Sequence, residues 1–141
     1  MSTEDNKTIA RRFSQEVLSK GDLSVAEQLL DADYVNHTPI PGQMPGIEGF
    51  RKSVMGLRAA LPFEEVIEDL IAEGDKVVVR AVRKATHSGP FMGIPASGKQ
   101  VTIPTTYILR IQNEKIIDAW LVWDMLGLMQ QLGAIPARSP G

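Results

Sequence analysis

The sequence predicts an α+β protein in which helices come first and antiparallel strands follow. In the first 60 residues, apolar side chains recur every three or four positions, the spacing of amphipathic helices. From residue 64 onward, apolar and polar side chains mostly alternate, as they do in strands that bury one face. Short polar breaks separate two pairs of these strands, which is typical of antiparallel hairpins.

Two helices are predicted at the N-terminal end. Ile9, Phe13 and Val17 recur every four residues across residues 3–20, so this segment predicts an amphipathic helix. Asp22 comes directly after a glycine, and its carboxylate is suited to accept backbone N–H groups at the start of a second, shorter helix.

The next segment predicts a strand, an irregular loop and a third helix. Residues 34–38 are expected to form a short strand. Residues 39–46 contain three prolines and two glycines, a composition typical of an irregular loop beside an opening. The third helix is predicted over residues 47–60, with Phe50 on its apolar face.

Four longer strands and a last helix complete the prediction. The strands are expected over residues 64–72, 76–87, 101–111 and 116–123. The last strand carries apolar groups on both faces, which indicates that it is covered on both sides. Asp124 is suited to cap the last helix, because apolar residues follow it at helical spacing from Met125 to Leu132.

Composition limits the classes of function. A chain of 141 residues predicts a single domain over residues 1–141, and its net charge of −2 argues against a nucleic-acid partner. There is no cysteine, and with only His37 and His87 we expect neither a metal site nor a cofactor. No apolar run approaches membrane-spanning length, so we expect a cytoplasmic protein without a membrane partner.

Several segments resemble the SnoaL-like polyketide cyclase (ester cyclase) family. They are EGDKVVVR at 73–80, HSGPFMGIPASGKQVT at 87–102, the strand that ends in Leu109-Arg110-Ile111, KIIDAW at 115–120 and WDMLGLMQQLGAIP at 123–136. The resemblance implies a cone-shaped fold of the nuclear-transport-factor-like type. In that fold a curved antiparallel sheet wraps three helices, and an apolar pocket opens at one end. Because the fold hosts many chemistries, the reaction does not follow from it.

His87 is the first candidate for acid/base chemistry. It shares the strand parity of Val79 and Ala85 and lies beside a loop, residues 88–99, that we expect to cover the pocket mouth. A histidine can move a proton next to a carbonyl group near neutral pH. The alternative is a structural histidine that is hydrogen-bonded to a loop carbonyl.

Other polar candidates lie on the predicted strands. Thr105 and Tyr107 are on an apolar strand face, where Tyr107 either donates to an enolate oxygen or is a core tyrosine with a satisfied hydroxyl. By alternation, only one of Asn36 and His37 faces the pocket, and the alternative for this pair is a polar cluster at the strand end. Glu65 has the parity of an inward carboxylate, but we expect it at a solvated strand start.

Asp124 has two interpretations, as a catalytic acid or base at the rim and as a helix N-cap. We expect the substrate-binding wall to include Asn36, His37, Phe50, Thr105, Tyr107, Leu121 and Trp123. In particular, His87, Thr105, Tyr107, Leu121 and Trp123 are predicted to line one internal cavity.

The sequence departs from the family pattern on the last strand. The resemblance implies an inward acidic acid/base group where this chain has Leu121, and histidine-like positions where it has Ala119 and Tyr107. The predicted pocket wall is therefore more apolar than that of the cyclases, and the family's acid/base group does not carry over directly.

We therefore expect a cofactor-independent enzyme that acts on a small apolar carbonyl or polyketide-type substrate by aldol cyclisation or isomerisation. One alternative is a carrier that binds a hydrophobic small molecule without converting it, and another is a hydrolase or isomerase on the same fold. Finally, Trp120, Val122 and Ile108 share the opposite, outer sheet face, which predicts a homodimer packed through that face.

Overall fold

The computed structural model describes residues 2–40 and 42–136. Its helices are α1 (Thr3–Arg12), α2 (Leu23–Leu29), α3 (Gly46–Ala60) and α4 (Met125–Gln131), with a π-helical segment over Phe13–Leu18. Its strands are β1 (Leu30–Asn36), β2 (Phe63–Glu73), β3 (Lys76–Thr86), β4 (Gln100–Gln112) and β5 (Lys115–Trp123). The predicted α+β order is confirmed.

The first predicted helix changes its geometry halfway. α1 begins with a capping box between Ser2 and Asp5, and the chain becomes π-helical at Phe13. Ser14, in the π-helical segment, is fully buried and contacts the sheet. The predicted cap of α2 is confirmed, because Asp22 accepts from the backbone N–H groups at its start.

The five strands form one sheet in the order β1-β5-β4-β3-β2. The pairs β2–β3, β3–β4 and β4–β5 are antiparallel, whereas β1 runs parallel to β5. The four long strands thus form the expected antiparallel sheet, and the short first strand adds to its edge in parallel. The chain leaves β1 through α3 and reaches β5 only after three further strands, so no hairpin fixes their relative direction.

Both predicted tight turns are confirmed. Gly74 and Asp75 join β2 to β3, and Asn113 and Glu114 join β4 to β5. Asn113 and Glu114 both have positive φ angles, of 51° and 65°, as a type I′ hairpin turn requires. These turns fix the register of β3, β4 and β5, on which the position of the candidate site depends.

One face of the sheet packs on the helices and is called the inner face here. It carries Val77, Val79, Ala81, Arg83, Thr105, Tyr107, Leu109, Ala119 and Leu121. Tyr107 is buried and lies opposite Leu121 on β5, which also packs against the core. The predicted orientation of the sheet is therefore confirmed.

A bulge reverses the alternation of β2. The pairing with β3 skips Glu68, so Glu65 and Ile67 face inward before the bulge and Leu70 faces inward after it. Ile71 consequently lies on the outer face and is 60% exposed. The constant parity assumed from the sequence holds only up to the bulge.

The outer face is the opposite side of β4 and β5. Ile108 lies opposite Trp120, and Thr106 lies opposite Val122, as the strand parity predicts. Only Val122 of the predicted apolar group is largely exposed. The His37 ring covers part of Trp120, with 4.7 Å between the ring centroids. Among the described residues, no helix is long and apolar enough to cross a membrane.

Candidate active site on the inner face of the sheet

His87 is fully buried just beyond the end of β3. Its Nδ1 lies 2.8 Å from the Ser97 hydroxyl, and its Nε2 has no hydrogen-bond partner among the described residues. Within the described ranges, the Asn6 side-chain oxygen is the other buried side-chain N or O atom without a hydrogen-bond partner. A buried polar atom without a partner is costly, so the unpartnered Nε2 makes His87 a candidate functional group.

The loop of residues 88–99 is anchored at both ends. The backbone N–H groups of Ser88 and Gly89 donate to the Ala60 carbonyl at the end of α3, and the His87 N–H donates to the Lys99 carbonyl. Gly89 lies so close to α3 that a Cβ atom there would meet the Ala59 oxygen at 2.6 Å. The His87 backbone is thus fixed by the loop and by the helix.

The same loop packs an aromatic ring against the last strand. Phe91 is buried, and its ring centroid lies 6.3 Å from that of Trp123. Met92, at the tip of the loop, has a positive φ angle of 47° and is 71% exposed. Trp123 lies opposite Thr105, so the loop covers the end of the inner face where β4 and β5 meet.

The hydroxyl group of Tyr107 belongs to a buried polar cluster. We call Ser14, Glu65, Arg83 and Tyr107 the Glu65 cluster. Ser14 and Tyr107 both donate to Glu65 Oε1, the former over 2.7 Å, and Arg83 Nε lies 3.0 Å from Glu65 Oε2. All four side chains are buried, so a carboxylate and its cationic partner lie together in the core.

Burial raises the pKa of the Tyr107 hydroxyl well above its usual value, and the charge on Glu65 raises it further. The Tyr107 hydroxyl therefore stays protonated and donates a hydrogen bond to Glu65. Thr105 is also engaged, since its hydroxyl donates to the Ile103 carbonyl over 3.1 Å. The two hydroxyls predicted to orient a substrate oxygen both have protein partners.

The sequence prediction for Glu65 was wrong. Its side chain is fully buried on the inner face rather than solvated at a strand start. Arg83 carried the signal that was needed, because it breaks the apolar parity of β3 and lies directly opposite Glu65. Two opposite charges that face inward at one register position predict a buried ion pair.

An aromatic row continues from the cluster toward β1. Phe13 lies between Tyr107 and Phe50, with centroid distances of 6.2 and 5.6 Å, and Phe50 meets Tyr34 at 5.9 Å. Phe50, a predicted substrate-binding residue, is 8% exposed and belongs to this core row.

Asn36 and His37 point to different surroundings. Asn36 lies opposite Ala119, and its side-chain oxygen Oδ1 accepts from the Thr38 N–H. His37 lies on the outer face, where its Nε2 is 2.7 Å from Asp118 and its ring stacks on Trp120. This arrangement agrees with the prediction that only one of the two residues faces inward. Asn36 lies on the inner side, and His37 lies on the outer side.

Asp124 caps α4. It is exposed, and its Oδ1 accepts from the Gly127 N–H over 2.9 Å. Leu121 is half-buried and Ala119 is buried, which leaves the middle of β5 apolar on the inner face. The cap predicted from the sequence is present, and a catalytic role of Asp124 stays a prediction.

An internal cavity lined by the five predicted residues also stays a prediction. Two open depressions occur on the described surface, of about 450 and 460 Å³. The first lies beside Lys115. The second lies around Thr106 and Val122, and its lining includes Thr105, Trp123 and Asp124 of the predicted site residues. Within residues 2–40 and 42–136, no group of three or more histidine or acidic side chains is arranged to hold a metal ion.

Solved structures share this architecture. The chain superimposes on TsrD from Streptomyces laurentii with a TM-score of 0.85 and 29% sequence identity, over 96% of this chain and 99% of that one. It superimposes on IdmH from Streptomyces antibioticus with a TM-score of 0.81 and 26% identity, over 91% of this chain and 98% of that one. The fold is therefore the curved-sheet α+β fold of the nuclear-transport-factor-like class.

Sequence comparison identifies the family within that class. A model of the SnoaL-like polyketide cyclases matches residues 8–132, so the chain belongs to this family. Aklanonic acid methyl ester cyclase DnrD of Streptomyces peucetius is 28% identical over an alignment of 125 residues, which covers 84% of this chain and 84% of that one.

Proposed function

We propose that this protein is a cofactor-independent cyclase that closes a ring in a polyketide-type ester by acid/base catalysis at His87. The observation that carries the proposal is the free, fully buried Nε2 of His87. A desolvated imidazole nitrogen without a protein partner is available to a substrate proton. Family membership and the similarity to DnrD support the substrate class.

An intramolecular aldol reaction needs one group that first accepts and later returns a proton. His87 removes a proton from the carbon beside a carbonyl group, and that carbon attacks a second carbonyl of the same molecule. The imidazolium then protonates the resulting alkoxide. Substrate and product are isomers, so the step consumes neither an oxidant nor a second substrate.

Thr105 and Tyr107 enter this proposal as wall residues rather than as donors to the substrate oxygen. Both hydroxyls are engaged by the protein. Leu121, Trp123, Phe50 and Asn36 remain the proposed substrate contacts, because they lie on or beside the inner face.

The test is the turnover of aklanonic acid methyl ester and related aromatic polyketide methyl esters. His87→Gln keeps a hydrogen-bonding side chain but removes the titrating nitrogen, so turnover should fall by about 10²–10⁴-fold. His37→Gln is the matched control, since His37 lies on the outer face and should be replaceable with less than about a threefold change in rate.

The second candidate function is a carrier, and the apolar stretch of Ala119 and Leu121 favours it. A carrier would bind polyketide esters and melt at a higher temperature with them, but would convert none of them. If His87→Gln retains turnover, the acid/base group of the reaction is another residue.

We also propose that the protein is a homodimer packed through the outer face and that it acts in the cytoplasm. Val122 is 71% exposed beside the half-buried pair Ile108 and Trp120, and a second copy would cover this patch. Val122→Glu should convert the dimer to a monomer in sedimentation experiments at micromolar concentration. A wild-type protein that sediments as a monomer under those conditions would contradict the proposal.

A further inference from the structure

The Ser97 hydroxyl is the polar group that holds the His87 ring. It lies 2.8 Å from Nδ1, and the same oxygen accepts from the Lys99 backbone N–H at 3.3 Å. The Gly98 N–H donates to the His87 carbonyl, and the His87 N–H donates to the Lys99 carbonyl. Three hydrogen bonds therefore join His87 to residues 97–99, and only that of Ser97 reaches the ring.

The two neutral forms of His87 differ in what they leave unpaired. If Nδ1 carries the proton, it donates to Ser97, and Nε2 presents a lone pair to the buried side. If Nε2 carries the proton, an N–H donor is buried without an acceptor among the described residues. Orphaned N–H donors are rarer in proteins than orphaned acceptors, so the first form is favoured.

The position of Ser97 agrees with a proton on Nδ1 of His87. Ser97 lies on the exposed loop, so its own hydroxyl proton can point to water while its oxygen accepts from Nδ1. The hydroxyl can therefore act as a pure acceptor toward the ring without losing a hydrogen bond of its own.

We propose that Ser97 is a positioning residue that holds His87 as the Nδ1–H tautomer and so makes Nε2 the proton acceptor of the site. This inference deepens the proposed function and rests on it for the catalytic part. When Nε2 takes a proton from the substrate, Nδ1–H stays on Ser97, and the imidazolium later returns the Nε2 proton to the product. Ser97 itself neither gains nor loses a proton in the cycle.

The tautomer can be measured without a substrate. In the ¹⁵N-labelled protein at about pH 8, above the usual histidine pKa of about 6.5, a protonated ring nitrogen and a lone-pair nitrogen have well-separated chemical shifts. The chain has only two histidines, and His37→Gln assigns their signals. We expect Nδ1 of wild-type His87 to be protonated and Nε2 to be of the lone-pair type.

Ser97→Ala should shift His87 toward the Nε2–H form, and Ser97→Thr should restore the wild-type signals because threonine keeps the acceptor. Turnover should follow the same order. Ser97→Ala should lower kcat by about 10–100-fold with little change in KM, less than His87→Gln does, because the active tautomer is still populated part of the time.

A wild-type His87 that is protonated at Nε2 overturns the inference, whatever the turnover. So does an Nδ1–H form that persists in Ser97→Ala. If the spectra behave as expected but His87→Gln retains full turnover, the tautomer assignment stands and the proposed catalytic role of His87 fails.

Discussion

The inner face buries ionisable groups in two places, and it treats them differently. In the Glu65 cluster, each carboxylate oxygen has at least one donor, from Ser14 and Tyr107 on one side and from Arg83 on the other. At His87, one ring nitrogen has a partner and the other has none among the described residues.

The Glu65 cluster stabilises the fold, whereas His87 is the group that we propose is available to a ligand. A satisfied buried network favours one arrangement of the chain, and removing one member leaves another unpaired in the core. An unsatisfied nitrogen contributes little to stability, so replacing it should affect function more than folding. Variants of the two places should therefore fall into opposite classes.

The largest expected effect is on stability at Arg83. Arg83→Met leaves the buried Glu65 carboxylate without its cation and should lower the free energy of unfolding by about 3–5 kcal/mol. Urea unfolding measures this change. Arg80→Met is the control: Arg80 pairs with Glu68 and Asp69 at the surface and should lose at most about 1 kcal/mol.

A double variant shows whether the charge is the cause. Glu65→Gln with Arg83→Met keeps an amide oxygen for Ser14 and Tyr107 but removes both charges. It should recover most of the stability that Arg83→Met loses. An equal loss in both variants would mean that lost packing, including that of Arg83 on the Phe63 ring, is the cause.

Tyr107→Phe tests which of the two places does the chemistry. It removes one donor from Glu65 while Ser14 remains, so we expect a loss of about 1–3 kcal/mol in unfolding free energy. Turnover should change by less than about tenfold, because the hydroxyl is committed to Glu65. A loss of turnover comparable to that of His87→Gln would place the acid/base group in the Glu65 cluster instead.

Much of the fold follows from the sequence because local signals agree with it. The caps at Asp22 and Asp124, the two-residue turn at Asn113 and the alternation of β4 each depend on neighbouring residues. The parallel pairing of β1 with β5 could not be predicted this way, because it joins segments that are distant in the chain.

The candidate site was predicted only in part, for a related reason. His87 follows from the alternation of β3, but its contact with Ser97 depends on the path of an irregular loop. The role of Tyr107 depends on Glu65 and Ser14, which lie 42 and 93 positions before it in the sequence. Long-range polar contacts of this kind leave no periodic signal.

Asp124 adds a third kind of carboxylate to the comparison, one that is exposed and bonded to the backbone. Asp124→Asn should leave stability within about 0.5 kcal/mol, because asparagine caps as well as aspartate, whereas Asp124→Ala should cost about 1 kcal/mol. Turnover should be unchanged in the asparagine variant. If it is lost while the melting temperature is unchanged, Asp124 is the acid or base of the reaction.

Asp118 extends the comparison to the outer face, where the expected effect is smallest. Burial alone raises the pKa of the Asp118 carboxyl, but hydrogen bonds from His37 and Arg110, together with the Arg110 charge, outweigh burial and lower it below its usual value. A carboxyl group whose pKa is lowered by folding stabilises the folded state. This stabilisation is complete above the pKa of the unfolded state, about 3.9, and it is lost as the pH falls through the pKa of the folded state. The stability difference between the wild type and Asp118→Asn should therefore be constant from about pH 5 to 6 and should shrink below about pH 4. Urea unfolding across that range measures it, and a difference that grows toward acid pH would show that the carboxylate is not the stabilising form.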